Sequence, residues 1–300
     1  MRGVNNFLAV SIIFVCLVHT TTTAQVNSLH SKINEIVKDK RATVGVAICP
    51  IGGTDTVSVN GAAHLPMQSV FKFHIALAVL DQVDKGALSL NQKIKLTMAD
   101  LLPDTWSPIR DKYKCGDSLS VAELIQYTVA QSDNNGCDIL LRLIGATEAV
   151  EHYLQRIGVD DVAIKANEEQ MQMVWDVQYQ NCTTPLSAVR LLSKFYAGGA
   201  VSAKSRTFLY DVMVNTTTGA KRLKGLLPAG TVVAHKTGSS GTNSQGLTAA
   251  VNDIGIVILP DGSAYAIAVL VSDSAEDSTT NEAIIARVSQ AAWQYYTSKR

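Results

Sequence analysis

Hydrophobic spacing divides the chain into three textures. Between Val26 and Val37 (VNSLHSKINEIV) apolar residues recur at helical intervals, which predicts a helix. TVGVAICP (Thr43–Pro50) and DTVSVNG (Asp55–Gly61) then read as two short strands around the turn residues Gly52 and Gly53. An apolar run from Val70 to Val83, closed by Lys85-Gly86, predicts a second helix. From there to about Val214 the pattern stays mostly helical. Its strongest segments are SLSVAELIQYTVAQS, CDILLRLIG, TEAVEHYLQRIG and TPLSAVRLLSKFYAGG, each with a capping residue or a terminal glycine. Asn167–Thr183 shows no clean period and reads as a long structured loop, a feature compact domains usually keep for function. After Pro228-Ala229-Gly230 the texture turns β-branched: TVVAHKTG, GLTAAVNDIGIVILP and YAIAVLVSDS predict strands, with Pro260-Asp261-Gly262 as a hairpin turn. A helix from roughly Asn281 to Tyr296 closes the chain.

Strands at both ends and helices between them predict an α/β (α+β) fold, with an antiparallel sheet flanked by the terminal helices plus an all-helical lobe. The expected division is a discontinuous α/β lobe, 25–63 with 215–300, and a helical lobe, 64–214. A cleft between the two is the natural place for a site. Ser69 lies where the chain crosses from the first strands into the second lobe.

Composition narrows the function classes. An apolar content of 47% is ample for a buried core in 300 residues. Lys plus Arg and Asp plus Glu balance at 26 each, without a basic run, so there is no electrostatic footprint for nucleic acid. Arg2, the apolar stretch FLAVSIIFVCLV (Phe7–Val18) and TTTTAQ have the order of a cleavable signal peptide, residues 1–24, with cleavage after Ala24. The stretch is too short for a permanent anchor, and bulky Val15 before Cys16 argues against lipidation. The expectation is export to the periplasm or medium, with no membrane anchor afterwards. Cys49, Cys115, Cys137 and Cys182 form no C-x-x-C pair and the histidines are scattered, so no metal site is expected. Free thiols and disulfides both remain open.

MQSVFKFHI (Met67–Ile75) sets Ser69 and Lys72 at the mouth of an apolar run. One reading is a helix-capping serine with a solvated lysine; the other is a nucleophile with an activating amine. Ser132-Asp133-Asn134 ends the VAELIQYTVAQ pattern on a turn before CDILLRL, and Lys236-Thr237-Gly238 follows TVVAH. Each is ordinary alone. In the order SVFK, SDN, KTG they match the motif set of penicillin-binding proteins and class A β-lactamases. On these motifs the chain resembles a class A serine β-lactamase over nearly all of its length after residue 24.

The residue types suit that chemistry. Ser69 and Lys72, at i and i+3, share a helix face. A nearby second cation, Lys236, would make Lys72 a better proton acceptor. Ser132 is placed to pass a proton to a leaving lactam nitrogen, Asn134 offers an amide to the substrate, and Asp133 holds the turn. The resemblance further implies an oxyanion hole from the backbone N–H groups of Ser69 and Ser239. It also implies a deacylating glutamate on the long loop: Glu168, with Glu169 its neighbour, against the alternative of two solvated surface acids.

The loop departs from the family pattern. Gln172 stands where an asparagine usually helps to hold the deacylating water. Ala166 and Asn181 occupy positions where many members have an arginine–aspartate pair, so closure is expected to use other contacts. Ala76 and Ile125 replace the cysteine pair of some members. A substrate carboxylate would meet Thr237, Ser132 and Ser239. GTNSQG lacks the family's arginine, so Arg222 in GAKRLKG is the candidate substitute, a solvated surface arginine being the alternative. Trp106 in DTWSP reads either as an aromatic wall of the cleft or as an ordinary partly buried tryptophan. Ser239 hints at cephalosporin use.

The resulting expectation is a secreted, monomeric serine β-lactamase that confers resistance. It would hydrolyse the lactam amide of penicillins or cephalosporins through an acyl-enzyme on Ser69, with a small-molecule partner and no metal or organic cofactor. A D-alanyl-D-alanine peptidase and a non-catalytic β-lactam sensor are the alternatives; Glu168 in a defined loop and the compact chain length argue against the first, and the lack of a membrane segment or partner domain after the leader argues against the second.

Overall fold

The computed structural model describes residues 28–298, so the expected leader lies outside the described residues. Helix α1 (28–37) leads into β1 (Thr43–Pro50) and β2 (Val57–Val59). The chain then leaves through β3 (Leu65–Pro66) and a 3-10 turn, Gln68–Val70, into α2 (Phe71–Asp84). There follow β4 (Lys93–Lys95), α3 (Pro108–Lys112), β5 (Ser118–Ser120), α4 (Val121–Ala130), α5 (Asn134–Ile144) and α6 (Ala146–Arg156). Next come β6 (Val162–Ala163), α7 (Glu168–Met173), β7 (Cys182–Thr183), α8 (Pro185–Tyr196) and α9 (Ala203–Val214). β8 (Val233–Ser239), β9 (Thr248–Ile258), β10 (Ala264–Ser274) and α10 (Ser278–Ser298) complete the chain.

The five-stranded sheet has the order β2-β1-β10-β9-β8 and is antiparallel throughout. Its outer face is branched: Val44, Val46, Ile48, Val233, Ile267 and Val269 pack beneath Leu29 and Ile33 of α1 and Ile284, Ile285 and Val288 of α10. Its inner face carries Ile254, Ile256 and Leu270 together with the small residues Ala47, Ala234, Ala266 and Ala268, and α8 packs on it against β1 and β10. Because both faces are covered, β9 and β10 read in sequence as nearly unbroken apolar runs rather than alternations.

α2 is buried continuously from Phe71 to Asp81, with α4, α5, α6 and α9 against it. A helix apolar on all sides belongs in a core. Lys72 has no exposed surface there, which rules out a solvated head. The helical section also carries two small sheets, β3-β7-β6 and β4-β5. Ser118–Ser120 pairs as a strand, and the periodic segment becomes helix only at Val121, where Ser120 and Glu123 form a capping box. The segment read as a loop contains α7 and a 3-10 turn, Trp175–Gln180; both are too short to leave a periodic signature. Cys49, Cys115, Cys137 and Cys182 are free thiols, and only Cys137 is fully buried.

Gly45 marks the tightest crossing of α8 and the sheet: an added Cβ would lie 2.6 Å from Leu65 Cδ1 and 2.8 Å from Pro185 Cγ. Gly45→Ala is expected to lower stability by about 1–3 kcal/mol, the range for overpacking, measured as a shift of the urea midpoint at unchanged slope.

Candidate active site

Ser69 lies on the 3-10 turn between β3 and α2, and four contacts fix that turn. Met67 N–H donates to Asn181 O at 2.8 Å. Asn252 Nδ2 donates to Pro66 O at 2.7 Å and Met67 O at 3.1 Å. Gln68 adopts φ 47°, costly for a non-glycine residue, and its buried amide bonds Gln178 Oε1 at 2.5 Å. Gly238 of β8 passes so near that a Cβ there would sit 2.3 Å from Met67 O, which explains a glycine in the KTG segment.

Lys72 projects its ammonium into the centre of the site. Nζ is 3.0 Å from Ser69 Oγ, 2.8 Å from Ser132 O, 2.5 Å from Asn134 Oδ1 and 2.8 Å from Glu168 Oε1. Ser69 Oγ is itself 3.4 Å from Glu168 Oε1. Ser132, at φ 60°, occupies the turn between α4 and α5, and its Oγ accepts from Lys236 Nζ at 3.0 Å. Burial first, and the Lys72 charge second, hold the Lys236 ammonium well below the usual lysine range. Asp133 is buried and receives N–H groups of Gly136 (2.8 Å) and Ile109 (2.7 Å), so it holds the turn. Asn134 Nδ2 donates to Thr105 Oγ1 at 2.7 Å.

Glu168 stands in the first turn of α7, and two buried side chains place it. Asp138 accepts the N–H groups of Glu168 at 2.9 Å and Glu169 at 3.1 Å. Asn181 closes the loop from behind: its Oδ1 accepts from Lys165 N (2.7 Å) and Ala166 N (3.0 Å), and its Nδ2 donates to Ala166 O (2.8 Å). One amide clamped on backbone thus does the closing, the other contact that the sequence requires where Ala166 and Asn181 replace the family's arginine–aspartate pair.

A cleft of about 480 Å³ opens over Ser69 and Glu168, with Trp106, Gln172 and Ser239 on its walls. Trp106 is 61% exposed and donates Nε1–H to Gln131 O at 2.9 Å, so it is a wall and not a partly buried core residue. Thr237 Oγ1 bonds Thr218 Oγ1 at 2.7 Å. Arg222 is neither solvated nor directly on the cleft. It lies buried behind β8, donating to Gly238 O (3.1 Å), Asn252 O (2.9 Å) and Ser239 Oγ (2.7 Å), with Glu282 Oε1 at 3.4 Å. A groove of similar size, about 510 Å³, runs between α1 and α10, but no group from the three motifs lines it. Among the described residues no cluster of His, Cys, Asp or Glu is fit to hold a metal ion, and no helix is long and apolar enough to cross a membrane.

The sequence motifs did not disclose Asp138, Gln68, Gln178, Thr105 or Asn252. Only Asp138 left a signal: it follows Asn134 by one helical turn and so shares its face.

A half-buried serine beside a buried lysine and glutamate under an open cleft, between a mixed helical section and an antiparallel sheet, defines a serine acyl-transfer hydrolase. The chain matches the β-lactamase enzyme family over residues 28–296 and belongs to it. It is 46% identical to β-lactamase VEB-1 of Pseudomonas aeruginosa over the full length of both chains. It is 49% identical to the extended-spectrum β-lactamase PER-1 of the same species, over 93% of this chain and 90% of that one. The crystal structure of the TLA-1 extended-spectrum β-lactamase superposes with a TM-score of 0.89 at 52% identity, covering 90% of this chain and 99% of its own. The protein is a class A serine β-lactamase, with the mixed helix and antiparallel-sheet fold of that class.

Two outcomes follow from the loop. Asn181→Ala leaves backbone groups of Lys165 and Ala166 without partners, and is expected to cost about 2–3 kcal/mol of stability in urea unfolding. Burial pushes the Asp138 carboxyl up to about 7, against the pull of the Glu168 N–H. A raised carboxyl keeps its proton in the folded state, so its contribution to stability is full at acid pH and is lost as pH rises through 7. The carboxylate that receives both N–H groups forms only above that pH. Accordingly kcat should fall on the acid side with an apparent pKa near 7, and Asp138→Asn, which offers one acceptor at every pH, should abolish that limb.

Proposed function

We propose that Ser69 is the nucleophile of a two-step β-lactam hydrolysis and that Glu168 drives the second step. The observation that carries this reading is the bridge made by Lys72 Nζ between Ser69 Oγ (3.0 Å) and Glu168 Oε1 (2.8 Å). In acylation the Ser69 proton leaves through a water for the Glu168 carboxylate, or for Lys72 in its uncharged amine form, while Oγ attacks the lactam carbonyl. The carbonyl oxygen becomes an oxyanion received by the N–H groups of Ser69 and Ser239. As the ring C–N bond breaks, Ser132 Oγ hands a proton to the nitrogen and takes one in turn from the group that received the Ser69 proton, while the Lys236 ammonium 3.0 Å away stabilises the Ser132 oxygen during the transfer. In deacylation Glu168 takes a proton from water, the hydroxide adds to the ester, and Ser69 departs with its proton restored.

Asn134 and Gln172 are assigned to the acyl side chain, with Trp106 as an aromatic wall. Thr237, Ser132 and Ser239 are assigned to the substrate carboxylate. Arg222 acts one shell further back, orienting the Ser239 hydroxyl and adding positive field. The extended-spectrum names of the relatives, together with the open cleft between Gln172 and Ser239, support acceptance of bulky cephalosporins. The site is complete within one chain, which supports a monomer. The apolar leader at Phe7–Val18 supports export to the periplasm or medium.

Intact-protein mass spectrometry after addition of a cephalosporin tests the scheme. The parent should show a transient adduct on Ser69, absent in Ser69→Ala. Glu168→Gln should trap the adduct and lower kcat by about 10²–10⁴-fold. Turnover of Glu168→Gln at the parental rate would remove Glu168 from deacylation.

A further inference from the structure

β8 is the edge strand of the sheet: β9 pairs with it on one side, and the cleft lies along the other. Its position is therefore fixed by backbone bonds from one direction only. Behind the cleft, on the face opposite Lys236, stands a pair of fully buried polar side chains. His235 Nδ1 is 2.9 Å from Asp253 Oδ1 and 3.0 Å from Oδ2.

Three connections meet at this pair. His235 immediately precedes Lys236, and Asp253 lies directly across the ladder from Thr237. Asp253 Oδ2 also accepts the N–H of Leu223 at 3.2 Å, next to Arg222. The same connecting segment donates Thr216 Oγ1–H to His235 O at 2.8 Å. One carboxylate thus joins β9, the edge strand and the Arg222 segment.

His235 Nε2 is buried without a hydrogen-bond partner. An imidazolium would carry an N–H there with nothing to receive it, so the surroundings fit the neutral ring with its proton on Nδ1. Asp253 then keeps its charge, which favours the ammonium forms of Lys236 and Lys224.

We propose that His235 and Asp253 are positioning residues for the reaction: their single-tautomer bond sets the place of the edge strand and thereby of Lys236, Thr237 and the Ser239 N–H. The proposal rests on the roles assigned above to those three residues, so Lys236→Ala serves as the control. On folded protein, His235→Val should lower kcat/KM for a cephalosporin by about 10–100-fold, as small displacements of reacting groups do. His235→Asn, whose side-chain N–H can still reach Asp253, should recover to within about three-fold. In ¹⁵N spectra of the parent, the signal that His235→Asn removes should show the tautomer protonated on Nδ1, the nitrogen that faces Asp253. Parental kcat and KM in folded His235→Val would overturn the proposal, as would spectra that place the ring proton on Nε2; the spectra decide even if the valine variant fails to fold. Activity retained by Lys236→Ala would overturn the assignment of the strand itself, and the proposal with it.

Discussion

An ammonium group without access to bulk water is the constraint around which the site is organised. Lys72 has no exposed surface, and a buried charge is tolerated only when it is surrounded by partners. Removing one partner of a buried pair typically costs about 3–5 kcal/mol. The fold meets this demand with one acceptor from each of four places: the nucleophile turn, the backbone of Ser132, the first residue of α5 and the first turn of α7. Satisfying the lysine brings these four segments together, and the reacting groups arrive with them.

Close approach is the second requirement. β8 can lie against the nucleophile turn because Gly238 has no Cβ to strike Met67 O. The turn departs from ordinary backbone geometry at Gln68, as the turn between α4 and α5 does at Ser132. Such conformations persist only where the surroundings over-determine them. At the nucleophile turn Asn252, Asn181 and the Gln68–Gln178 pair do so with bonds from β9 and the long loop, and at Ser132 the ammonium groups of Lys72 and Lys236 do.

Much of this was legible in one dimension. Periodicity located α2, α5, α6, α8 and the strands β8 to β10, since each is long enough for its pattern to repeat. It missed β3 to β7, which at two or three residues carry no period, and it read α7 as loop because two turns of helix show only one repeat. Motif order points to Ser69, Lys72, Ser132, Asn134 and Lys236, the family resemblance adds Glu168 on the long loop, and the fold gathers all six within one cluster. Arg222 reads in sequence as either a carboxylate-binding arginine or a solvated one, yet its guanidinium is taken up by two strand carbonyls and the Ser239 hydroxyl.

The sequence by itself determined the order of elements, the serine–lysine spacing that shares a helix face, and the membership of the motif set. These depend on neighbours within a turn or two, where chain geometry is nearly independent of the rest. The tertiary structure alone decided that Lys72 is buried, that Asp138 supports Glu168, that Asn181 clamps Ala166, and that His235 meets Asp253. Each joins groups from different elements, and their distance is set by how helices and sheet pack. Alternation and spacing report which face a residue occupies; only packing decides what that face meets.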